Sequence, residues 1–128
     1  MSRQFLTRFA IVLLGLLGAG INLAYAGSHF ESFMATGTPP AEREAQLSAV
    51  CGSAGIALAM IWMAFRPLQR KGLLLVGAFS MFVGNLLHSF LMWQMEQQGV
   101  VANLIFGAGF AGVYIAVYGV SIYLEEIS

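Results

Sequence analysis

Apolar residues gather into four long blocks along the chain, 9–26, 47–65, 72–95 and 99–124, and every charged residue lies outside them. Each block approaches the roughly 20 residues a helix needs to cross the hydrocarbon of a bilayer. Inside lipid every backbone N–H and C=O must be paired within its own segment, so runs this long and unbroken predict helices and not open strands. The predicted fold class is therefore an all-α integral membrane protein, a single-domain antiparallel bundle of four transmembrane helices. The first block has a second reading, because Arg3 and Arg8 precede an apolar run ending in Ala24-Tyr25-Ala26, the pattern of a secretory signal and its cleavage site. We count the segment as retained and as the first span.

The polar connections give the orientation and the helix ends. Arg3, Arg8, Arg66, Arg70 and Lys71 fall on one side and only Arg43 on the other, which places both termini in the cytoplasm. A multi-pass protein of the bacterial inner (plasma) membrane is expected. In the outer loop, 27–46, Thr38 is suited to cap the second helix and Pro39 to its first turn, with one or two turns protruding outward. The segment 29–34 is amphipathic enough to lie along the outer interface. Arg66-Pro67 is expected to close the second helix. The turn of about six residues that follows makes the second and third helices antiparallel neighbours.

At heptad spacing the spans present small or polar faces: Gly15, Gly18, Asn22 and Tyr25; Ser48, Gly52, Gly55 and Ala59; Gly77, Met81, Gly84 and His88; Asn103, Gly107, Phe110, Tyr114 and Ser121. Small residues let backbones approach where lipid supplies no hydrophobic drive, so these faces are expected to turn inward. With 59% hydrophobic and 9% charged residues, six basic against six acidic, composition excludes a soluble domain and gives no reason to expect nucleic acid as a partner. The single cysteine, Cys51, rules out an internal disulfide.

Measured by depth, Asn22, Tyr25, Asn85, His88 and Asn103 form a layer in the outward third of the bundle, at the level of Cys51, while Ser80, Tyr118 and Ser121 belong to the cytoplasmic side. Polar groups facing lipid unpaired are costly, so the layer must point inward. Three roles fit. The amides and His88 serve as interhelical hydrogen-bond glue, or they form a site for a lipid or quinone headgroup with His88 as donor. Alternatively His29, Met34, Cys51, His88, Met92 and Met95 supply soft ligands suited to copper(I). A lone histidine at position 88 also suits an axial ligand to haem or chlorophyll.

No Asp, Glu, Lys or Arg lies inside a span, which disfavours ion-coupled transport. No nucleophile stands beside a base, and no carboxylate pair or phosphate-binding loop is present, so catalysis is not expected. The stretches Ser-Ala-Val-Cys-Gly-Ser-Ala-Gly at 48–55, Phe65-Arg66-Pro67, Arg70-Lys71-Gly72-Leu73-Leu74-Leu75 and Gly84-Asn85-Leu86-Leu87-His88-Ser89 resemble small four-helix membrane proteins of the DoxX-like type. That resemblance implies four helices and little more, although some members of the group are described as partners of other membrane proteins. Where that group places an arginine late in the third helix, this chain has Asn85 and His88. The expected function is an accessory or scaffolding subunit that packs against larger integral membrane subunits of a respiratory, photosynthetic or oxygenase complex. The alternative is a stand-alone binder of a membrane lipid, a quinone or copper at the outer polar layer.

Overall fold

The computed structural model describes residues 2–126. Its helices are α1 (Arg3–Met34), α2 (Pro40–Phe65), α3 (Leu73–Gln94) and α4 (Val100–Glu126), and there is no strand among the described residues. All four are long and apolar enough to cross a membrane. Length and composition thus make this a multi-pass membrane protein.

Ser2 starts α1, its hydroxyl accepting the Phe5 N–H at 3.2 Å. The helix does not stop where the apolar block ends. It runs for 32 residues, about 48 Å at 1.5 Å per residue, so the segment 29–34 is its last two turns and not a separate interfacial piece. The opening turns of α2 hold this extension. His29 Nδ1 lies 2.6 Å from Gln46 Oε1, Arg43 Nε donates to the Phe33 carbonyl at 3.2 Å, and its guanidinium stands 5.4 Å from the Phe33 ring. These polar and cation–π contacts give the polar end of α1 a partner outside the apolar zone.

The connection between α1 and α2 corrects one expectation. Pro40, not Pro39, is the first residue of α2, and Pro39 is its cap with φ −61° and ψ 148°. A residue that precedes proline is driven out of the helical region, and Pro39 precedes Pro40. Thr38 instead serves the preceding helix, donating to the Ala35 carbonyl at 3.1 Å and the Ser32 carbonyl at 3.4 Å. At the other end α2 closes at Arg66, as the Arg66-Pro67 pair predicts. Arg70 folds back there, donating to the Trp62 carbonyl at 2.7 Å with its guanidinium 4.3 Å from the indole.

The helices pack in two pairs, α1 on α2 and α3 on α4, while α2 and α3 touch little despite their short turn. The core sits toward the basic end and comprises Ile11, Leu14, Ala19, Met60, Met63, Leu74, Ala78, Met81, Ala111 and Tyr114. Gly15 lets α1 reach the α2 backbone, since a Cβ there would stand 2.9 Å from the Met60 carbonyl oxygen. Gly107 plays the same part between α4 and α3, where a Cβ would run into the Asn85 side chain. The inward faces of α1, α3 and α4 follow expectation near this core, with Gly15, Gly18, Gly77, Met81, Gly107, Tyr114 and Ser121 buried. On α2 the expectation fails: Ser48, Gly52 and Gly55 are exposed, and Ala57, Met60 and Met63 are buried instead. Flexible methionine side chains fill the space that the glycines of α1 and α3 leave, which packs better than small residues against small. Met60 lies close to Gly15, Gly18 and Gly77 alike.

Tyr114, wholly buried, donates its hydroxyl to the Leu14 carbonyl at 2.6 Å and ties α4 to α1. At the basic end Lys71 Nζ meets Glu125 at 2.6 Å, and Arg3, Leu68 and Glu125 line one small cavity.

Candidate functional site

Away from that core the pairs diverge and leave a cavity of about 270 Å³. α1 contributes Ile21, Asn22, Tyr25 and His29, and α2 Ser53 and Ile56. From α3 come Ser80, Met81, Gly84, Asn85 and His88, and from α4 Phe106 and Phe110. The register explains the gathering. Asn22, Tyr25 and His29 follow i, i+3, i+7 spacing on α1, and Ser80, Gly84 and His88 follow i, i+4, i+8 on α3, so each set shares a helix face.

Four of the five residues read as a headgroup layer, Asn22, Tyr25, Asn85 and His88, therefore line one cavity. The fifth does not. Asn103 points between α3 and α4, donating to Ser89 Oγ at 2.8 Å and to the Asn85 carbonyl at 3.2 Å. It is the amide that acts as glue, with the buried Ser89 as a partner that sequence reading missed. Asn22 and Asn85 direct their amide nitrogens to their own helices, to the Gly18 and Met81 carbonyls, each at 2.8 Å. A side-chain amide in apolar surroundings finds the carbonyl one turn back more readily than a partner across a gap.

Ser80, assigned by depth to the cytoplasmic side, lines the same cavity with its hydroxyl donating to the Gly77 carbonyl at 3.0 Å. Ser53 was not singled out at all. His29, expected in an interfacial segment or as a metal ligand, reaches the cavity because α1 runs on past the first apolar block; the signal in the sequence is its heptad relation to Asn22.

Of the six soft ligands considered for copper, only His29 and His88 line the cavity. Met34 and Met95 are exposed, as is Cys51, and Met92 lies near Gly99. Among the described residues no three His, Cys, Asp or Glu side chains gather as a metal site. Met81 is in the lining, yet it stands seven residues from His88, about 10 Å along the helix.

The lining contains no Asp, Glu, Lys or Arg. A charged group entering it would lose hydration with no opposite charge to offset the loss, so the chemistry of the wall favours an uncharged polar occupant. Phe106, Phe110 and Tyr25 add aromatic surface against which a flat or aliphatic group packs. Comparison with protein-family models, with curated proteins and with solved structures finds no match for this chain.

Proposed function

We propose that this protein binds the uncharged headgroup of a lipid or quinone in the cavity between its two helix pairs, within an antiparallel bundle whose termini both face the cytoplasm. The observation that carries the reading is the uncharged polar wall that Asn22, Tyr25, Asn85 and His88 contribute to a cavity lined by all four helices. A protein that only needed stable helix packing would fill such a space with apolar side chains. The antiparallel arrangement is supported by the pairing of His29 with Gln46 and of Gly15 with Met60. The clustering of Arg3, Leu68, Lys71 and Glu125 at one end supports common placement of the chain ends and the α2–α3 turn, and its basic residues support the cytoplasmic side. Purification in mild detergent followed by mass spectrometry of extracted lipids tests the proposal. A stoichiometric neutral amphiphile is expected with the native chain and its loss with His88→Ala; equal retention by both would reject the site.

A second reading, an accessory subunit of a larger membrane complex, is favoured by the outward glycines. Gly109, Gly112 and Gly119 of α4 and Gly52 and Gly55 of α2 are exposed, with open space where a side chain would stand. Such faces admit a close-packed partner helix. Affinity capture from native membranes with mass spectrometry tests it, and a lone chain under gentle extraction would count against it.

A further inference from the structure

We infer that the groove between α1 and α4, at the end proposed above as cytoplasmic, seats one acyl chain of an anionic phospholipid with its headgroup on Arg3. This site is separate from the cavity between the helix pairs and does not depend on what that cavity holds.

Beyond the latch of Tyr114 on Leu14, α1 and α4 touch little and leave a groove of about 350 Å³. Ala10 and Ala116 are too short to close the space, and Leu6, Val117 and Val120 are its walls. From Arg3 to Ala10 the groove follows α1 for about 10 Å, which fits within the roughly 15 Å of hydrocarbon in one leaflet. Leu6 and Val120 are exposed, so an acyl chain can enter from the side. Water finds no polar partners along such walls, whereas a methylene chain gains contact with them. The mouth decides the headgroup. Arg3 is the one charged residue of the lining, and it makes no ion pair among the described residues. Ser2 takes the Phe5 N–H, so the N–H groups of Arg3 and Gln4, which have no partner within the helix, offer an anion further donors at the same end. Glu125 lines the adjoining cavity together with Arg3, and its carboxylate lies 2.6 Å from Lys71 Nζ. Two cations thus stand against one anion there, and the balance stays positive. Phosphatidylcholine brings a phosphate but sets its own ammonium beside the arginine; a headgroup of net negative charge gains the pairing without that opposition.

Native mass spectrometry of the full chain, released from an uncharged maltoside detergent, tests this with equal amounts of phosphatidylglycerol and phosphatidylcholine of matched acyl chains. The phosphatidylglycerol adduct is expected to exceed the phosphatidylcholine adduct about fivefold, the weight of one arginine near a membrane surface. Arg3→Gln should bring the ratio below about twofold. Arg8→Gln removes the same charge a little over a turn further along α1, outside the groove lining, and should leave the ratio unchanged. Ala116→Leu fills the groove with every charge in place and should abolish the preference as Arg3→Gln does. A ratio near one for the native chain overturns the inference. So does an equal fall in Arg3→Gln and Arg8→Gln, which would mean attraction to the basic end at large, and so does a preference kept in Ala116→Leu, which would place the lipid elsewhere. A protein dimer in place of the lipid adduct overturns it too, since a second copy would then cover the groove. Should Ala116→Leu fold poorly, phosphatidylglycerol with a diazirine on one acyl chain decides with the native chain: labelling within 6–10 or 117–120 supports the groove, and labelling confined to other segments overturns it.

Discussion

Replacing Gly18 by alanine probes the junction that joins the two helix pairs. A Cβ at Gly18 would stand 2.7 Å from the Tyr114 hydroxyl oxygen and 3.2 Å from Met60 Cγ. The first distance is about 0.6 Å short of the roughly 3.3 Å at which carbon and oxygen meet without strain. The tyrosine cannot retreat freely, because its hydroxyl is bonded to the Leu14 carbonyl at 2.6 Å and its ring is wholly buried. Overpacking of this kind costs about 1–3 kcal/mol, and alanine returns about 1 kcal/mol over glycine within a helix. Gly18→Ala should therefore destabilise by about 0–2 kcal/mol. Tyr114→Phe alone removes one interhelical hydrogen bond, worth about 0.6 kcal/mol on average in membranes. Combined, the two should cost less than their sum, because the oxygen that obstructs the new methyl is gone and Met60 can flex. A favourable coupling of about 1–2 kcal/mol is expected. Reversible unfolding in mixed micelles with rising dodecyl sulfate, followed by circular dichroism, measures all four corners of the cycle. Additivity within about 0.5 kcal/mol would mean that the hydroxyl does not limit the approach of α1 to α4.

Other outcomes follow from the same geometry. Glu96 adopts φ +55° in the turn after α3, so Glu96→Gly should stabilise by about 1 kcal/mol; a lower unfolding midpoint would refute the strain. Asn103→Leu removes the bonds to Ser89 and to the Asn85 carbonyl and should cost about 0.6–1.7 kcal/mol in the same titration. Adding Ser89→Ala should then change little, and a further large loss would show that Ser89 has another role. Glu125→Gln removes the carboxylate beside Lys71, whose side chain is 13% exposed against 58% for Glu125, so it should cost about 1 kcal/mol or more and the cost should survive high salt in part; an effect abolished by salt would argue for a fully solvated pair. In a Cys51→Ser background, a cysteine at Gln97 should react with an impermeant maleimide from outside and one at Gln4 should not. The reverse pattern would invert the proposed topology.

The four helices were legible because lipid enforces length and continuity, and any reading of the apolar blocks finds them. Their outer ends were less so. Ser28, His29 and Glu31 look like loop residues, yet α1 continues through them because Gln46 and Arg43 of α2 supply partners that no local pattern reveals. The buried face of α2 was misread for a similar reason, since Ser48, Gly52 and Gly55 form as plausible an interface as any. What decides is the shape of the opposing surface, where the glycines of α1 and α3 leave room for Met60. Within the site, depth and polarity sufficed for Asn22, Tyr25, Asn85 and His88. Ser80, Ser53 and His29 joined them only once the divergence of the pairs set how deep the cavity reaches. For Asn103 the sequence left headgroup and glue open, and the bonds to Ser89 and the Asn85 carbonyl place it between α3 and α4.

The bond from Tyr114 to Leu14 joins residues 100 positions apart, whereas each helix pair is built from neighbours in the chain. During synthesis, α1 and α2 can associate before α4 leaves the ribosome, and α3 with α4 forms a second unit of the same kind. The latch between the units can engage only once α4 has been made. A chain arrested after α3 would hold only part of the wall, lacking Phe106 and Phe110, so the chamber comes into being only when α4 joins the first three helices.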